Sequence, residues 1–118
     1  MNESGKRKHE RIDSLNLVYV GVNEDDTLVQ QGMGRTLNVS ESGILLETHF
    51  PIEENSQVVL TLGLKEELID FRGVVVRLLP GEAGMHKIGI EFADIDVADK
   101  EILSRYIAAF TDQYQADM

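Results

Sequence analysis

Two short stretches carry residue types able to hold an anion together with a flat polar ring. The first is Arg7-Lys8-His9-Glu10-Arg11, two arginines four positions apart with Lys6 beside them. A guanidinium grips phosphate through two parallel N–H bonds and also stacks on planar rings, whereas an ammonium acts only as a point charge. The second is Asn38-Val39-Ser40-Glu41-Ser42-Gly43, an N-x-S-x-x-G spacing. Asn38 brings an amide oxygen and an NH2 group suited to the edge of a polar ring. Ser40 brings a compact hydroxyl for a ligand or for the turn's own backbone. Gly43 is expected to adopt a positive φ and to let the chain reverse with no Cβ in the way. Taken alone, the basic cluster reads as a solvated tail, and the turn as an ordinary hairpin connection.

The bulk composition narrows the ligand. Eleven basic residues against 21 acidic ones give a net charge of −10. Such a surface repels nucleic acid and anionic lipid at long range, so a local cationic cluster suits a small anion better than a long polyanion. Four Phe, three Tyr and no Trp are too few for a stacking groove along a nucleic-acid strand, so neither DNA nor RNA is an expected partner. The absence of cysteine excludes disulfides, thiolate zinc sites and cysteine nucleophiles.

Other motifs fail on their surroundings. Asn38-Val39-Ser40 is also a glycosylation sequon, but no secretory signal accompanies it. Gly32-Met33-Gly34 lacks the third glycine and the helix of a dinucleotide fingerprint. The Asp94-x-Asp96 start of a calcium loop breaks down at Asp99 and Arg105, where glycine and glutamate are needed. His9, His49 and His86 fall on separate elements, so no metal site is expected. No nucleophile motif is present, and the chain is read as a non-enzyme. No apolar run of membrane-spanning length occurs, and a cytoplasmic location without membrane insertion is the expectation.

The elements that must position these residues are legible in the periodicity. The 118 residues fit one domain, large enough to fold without metal or disulfide. Residues 14–22, 33–39 and 44–48 read as strands, joined by a turn or loop tip at Asn23-Glu24-Asp25-Asp26 and a tight turn at 40–43. After a loop over 51–56, Val58, Leu60, Leu62 and Leu64 alternate in a fourth strand. A fifth covers about 68–79. Pro80-Gly81-Glu82-Ala83-Gly84 turns the chain, and Ile88, Ile90 and Phe92 alternate in a sixth. Gly89, opposite to them in phase, signals close approach of another backbone or a barrel corner. Beyond Asp94 the period becomes helical: Leu103, Tyr106, Ile107, Phe110 and Tyr114 form one stripe, with Asp96 as N-cap and Asp99 in the first turn. Six short strands and one amphipathic helix predict an all-β fold, a six-stranded antiparallel β-barrel with a C-terminal α-helix against its wall or in one end.

The arginine pair, the N-x-S-x-x-G turn and this strand context together resemble the PilZ domain family, over residues 7 to about 112. Ile88-Gly89-Ile90-Glu91-Phe92 is similar to that family's Gly-x-x-Phe strand. Asn38 stands where Asp is commoner, and Lys6 where many members have another arginine. The resemblance implies a single domain: a flexible arm over 1–11, a barrel over 12–95 and a helix over 96–115. It implies a bacterial receptor for the second messenger cyclic di-GMP, with no cofactor. The implied ligand-binding residues are Arg7, Arg11, Asn38, Ser40 and Gly43, with Arg77 as a lesser one, because members often place a basic or aromatic side chain late in the fifth strand. Arg77 reads equally as a solvated charge at a strand end. The arm would close on the ligand and pass the signal to an unidentified downstream protein controlling motility, adhesion or exopolysaccharide. The expected state is a monomer or weak homodimer. The competing reading is a PilZ-like protein adaptor that binds no nucleotide.

Overall fold

The structure is a computed structural model and describes residues 17–64 and 67–117. The strands are β1 (Leu17–Glu24), β2 (Thr27–Val39), β3 (Gly43–Thr48), β4 (Gln57–Leu64), β5 (Glu67–Pro80) and β6 (His86–Ala93), followed by helix α1 (Val97–Asp117). They close into an antiparallel barrel in the order β1-β2-β3-β6-β5-β4, the β1–β4 ladder completing the ring. Closure leaves no free sheet edge, so every strand spends its backbone groups on two neighbours.

Alternation supplies the interior. Val18, Val20 and Val22 of β1, Leu46 of β3, Val58, Leu60 and Leu62 of β4, Phe71 and Val75 of β5, and Ile88 and Ile90 of β6 are all buried. Along a strand they are spaced by two, or by four where Gly73 lies between Phe71 and Val75, the period that lines one face.

β1 and β2 extend beyond the expected spans, to Glu24 and from Thr27. The polar, glycine-bearing stretch 27–32 hid the start of β2. Asp25 and Asp26 alone make the turn, both with positive φ (50° and 66°), the two-residue hairpin geometry whose twist matches that of the strands.

The two ends of the barrel are closed differently. The β3–β4 connection crosses one end and buries Ile52 there. At the other end β6 leads into α1. The Asp96 carboxylate accepts the Asp99 N–H at 2.8 Å, capping the helix as its sequence suggests. Leu103 and Tyr106 join the barrel's core cluster, with Ile102 and Ile107 packed against it. The Tyr106 hydroxyl lies 3.0 Å from the hydroxyl of Thr36, a residue fully buried on the inner face of β2. A helix lying outside the wall reaches the interior only through an open end, so α1 closes that end.

Candidate functional site

On the outer wall of the barrel, β2, β3, β6 and β5 enclose a depression of about 330 Å³. Its lining includes Asn38, Ser40, Ser42, Gly43, Arg77 and Glu91. The structure thus brings together four of the six sequence-predicted residues; Arg7 and Arg11, with Lys6, lie outside the described residues.

Two bulges account for this convergence. Across β2–β3 the register passes from Thr36↔Leu46 to Asn38↔Leu45, leaving Leu37 as an extra residue. Across β5–β6 it passes from Val75↔Ile90 to Arg77↔Gly89, leaving Val76 extra. In an unbroken ladder Asn38 and Arg77 would share the phase of Thr36 and Val75 and point into the core. Each bulge reverses that phase and sends the polar side chain outward. The result is one cross-strand row, Asn38–Leu45–Gly89–Arg77. Gly89 makes room within it: a Cβ there would meet the Arg77 Cβ at 3.2 Å and lie 3.8 Å from its Nε. The close neighbour that the glycine admits is therefore the Arg77 side chain.

The turn is organised by its own hydrogen bonds. The Ser40 N–H donates to the Gly43 carbonyl at 2.8 Å. The Ser40 hydroxyl accepts the Ser42 N–H at 3.3 Å and lies 3.2 Å from the Ser42 hydroxyl. Ser40 thus shapes the turn. The Phe92 N–H donates to the Ser42 carbonyl at 2.9 Å and ties the turn to β6.

The positive φ expected at Gly43 is not found; the one glycine with positive φ among the described residues is Gly84. Gly43 answers a different need. A Cβ at this position would stand 2.4 Å from the Ile90 carbonyl oxygen, so glycine lets β3 start flush against β6.

The electrostatics follow from these placements. Asn38 accepts the Val39 N–H on Oδ1 at 3.0 Å, which fixes its amide and leaves the NH2 group as a donor. Arg77 is exposed and forms no ion pair among the described residues, whereas Arg35 on the same barrel is bound to Glu47 at 2.7 Å. An unpaired guanidinium beside an amide donor favours an acceptor-rich, anionic ligand. Sequence reasoning passed over Glu91 and Ser42 as lining residues. Glu91 was detectable, because its outward phase follows from Ile88 and Ile90 pointing inward.

A closed six-stranded barrel, a terminal helix in one end and a polar row beside the β2–β3 turn define the class. The chain belongs to the PilZ domain family, whose model matches residues 5–109. That family is one of receptor and adaptor domains for cyclic di-GMP signalling. Among solved structures, the PilZ domain of YcgR from Escherichia coli with c-di-GMP is similar at a TM-score of 0.65 and 11% identity, over 85% of this chain and 86% of that one. The PilZ domain of CeSA from a cellulose-synthesizing bacterium aligns at a TM-score of 0.61 and 14% identity, over 81% and 92%. The MrkH–c-di-GMP complex of K. pneumonia aligns at 0.64 and 14%, over 86% of this chain but 49% of that one. No curated protein is a significant match to the chain. No helix among the described residues is long and apolar enough to cross a membrane.

Proposed function

We propose that this chain is a cyclic di-GMP receptor that binds the dinucleotide in the depression beside the β2–β3 turn. The observation that carries the reading is the outward row of Asn38 and Arg77 produced by two separate bulges. A barrel stabilised only by its core has no need to turn an amide and a guanidinium outward at the same level of the wall. The YcgR and MrkH structures contain c-di-GMP on the same fold.

Arg77 supplies a phosphate or ring contact, and the Asn38 NH2 group donates to a guanine edge. Ser40 and Gly43 hold the turn that presents Asn38. Arg7 and Arg11 complete the site from residues 1–11, an arm separate from the barrel. Reach permits this. β1 starts at the barrel end that also carries the β2–β3 turn. The stretch from Arg11 to Leu17 spans about 20 Å when extended, and strands β1 to β3 lie about 10 Å apart. Arginine rather than lysine at these positions fits a ligand with both phosphates and flat bases.

The protein then acts without catalysis. Closure of the arm changes the surface offered to a downstream protein of motility, adhesion or exopolysaccharide control, in the cytoplasm, with the receptor a monomer or weak homodimer. Calorimetry tests the reading. The full chain binds cyclic di-GMP saturably, and Arg7→Ala or Arg11→Ala lowers affinity at least tenfold, as loss of a charge-assisted contact requires, with an unchanged melting temperature. Wild-type affinity in both variants removes the arm from the site. Silence of the wild type leaves the nucleotide-free adaptor.

A further inference from the structure

Glu91 is out of place in a depression that takes a dianion. It lies on β6 two residues beyond Gly89 and points outward, and it is the one carboxylate among the lining residues. Arg77 pairs with Gly89 across β5–β6, so Glu91 is its diagonal neighbour, at a spacing of about 7–8 Å between backbones. Long side chains bridge such a gap, yet Arg77 and Glu91 form no ion pair, and neither side chain has a hydrogen bond among the described residues. A carboxylate beside phosphates costs affinity by like-charge repulsion. That cost is offset only if its oxygens receive donors from the ligand.

The other polar side chains of the wall already have partners within the turn. The Asn38 Oδ1 is committed to the Val39 N–H, so its free group is a donor. The Ser40 hydroxyl is spent on the Ser42 N–H and hydroxyl. The Watson–Crick edge of guanine carries two adjacent donors, N1–H and N2–H2, spaced for the two oxygens of one carboxylate. Adenine presents an acceptor at N1, and hypoxanthine lacks the 2-amino group.

Resting on the receptor reading, we infer that Glu91 is the base-selecting residue: its carboxylate accepts N1–H and N2–H of one guanine. Arg77, directly across from Gly89 and diagonal to Glu91, is placed to neutralise the charge and hold a phosphate or a ring oxygen.

The test is calorimetry on the full chain with cyclic di-GMP, cyclic di-IMP and cyclic di-AMP, for wild type, Glu91→Gln, Glu91→Ala and Glu53→Gln. Glu53 lies in the β3–β4 loop, outside the depression. The wild type prefers cyclic di-GMP to cyclic di-IMP by at least about tenfold, and cyclic di-AMP binds weakest. Both Glu91 variants melt as the wild type does, since the side chain is exposed. They bind cyclic di-GMP about ten- to hundredfold more weakly, and their preference for guanine over hypoxanthine shrinks towards unity. Glu53→Gln retains the wild-type values, which separates base contact from net charge. Equal or tighter binding of cyclic di-GMP by the Glu91 variants would mean that the carboxylate only repels phosphate; this overturns the inference and leaves the receptor reading intact. A wild type that binds no cyclic dinucleotide overturns both.

Discussion

At the scale of single residues, the site depends as much on missing atoms as on functional groups. Gly43 is required by packing: its Cα faces the Ile90 carbonyl so closely that a methyl group would sit 2.4 Å from that oxygen. Gly43→Ala is therefore expected to destabilise the barrel by about 1–3 kcal/mol, the usual range for overpacking, measurable as a lower urea midpoint with an unchanged slope. An unchanged midpoint would show that β3 and β6 separate without cost. The sequence reading of Gly43 as a place without room for a Cβ holds, but the positive φ expected with it does not, because turn glycines and close-approach glycines look alike until the neighbouring strand is placed. Ser40 offers a similar lesson. Its hydroxyl had two readings, and the turn's own hydrogen bonds account for it.

At the scale of elements, alternation revealed the strands but hid the two bulges. By ladder phase, the core-side residues of β2 step from Gly34 to Thr36 and then to Val39, and those of β5 from Phe71, Gly73 and Val75 to Leu78, which is itself exposed. A spacing of three inside a period of two marks an extra residue. Val74-Val75-Val76 masks it in β5, because valine suits either face. The helix was legible from its stripe and its Asp96 cap. Its joint to the barrel was not, because Thr36 gives no sign in the sequence that it is buried. Tyr106→Phe removes one partner of the buried Thr36 hydroxyl and is expected to cost about 1–3 kcal/mol, read as a lower thermal midpoint with the barrel fold retained. A wild-type midpoint would mean that apolar packing alone seats the helix.

At the scale of the whole molecule, charge and site are arranged at different ranges. The chain carries −10 overall, yet Arg77 and Asn38 present donors on one part of the wall, and the four cations Lys6, Arg7, Lys8 and Arg11 fall within six positions of the sequence. On the proposed reading, long-range repulsion disfavours polyanions, while short-range guanidinium contacts favour a compact dianion. The β1–β2 hairpin and the β3–β4 loop are acidic, with Glu24, Asp25, Asp26, Glu53 and Glu54 grouped at the opposite end from the β2–β3 turn. The fold class was readable because its period and closure depend on many residues at once. The site was readable only in part, because facing depends on two single-residue slips. The central claim is that cyclic di-GMP occupies the wall between β2, β3, β6 and β5. The most direct measurement is a proton–nitrogen NMR titration of the full chain with the dinucleotide. Saturable shifts at the Asn38 side-chain NH2, Ser40, Gly43, Arg77 and Gly89, with Asp25 and Asp26 unmoved, are the predicted result. A spectrum that stays still at saturating ligand, or moves only at the acidic end, contradicts it.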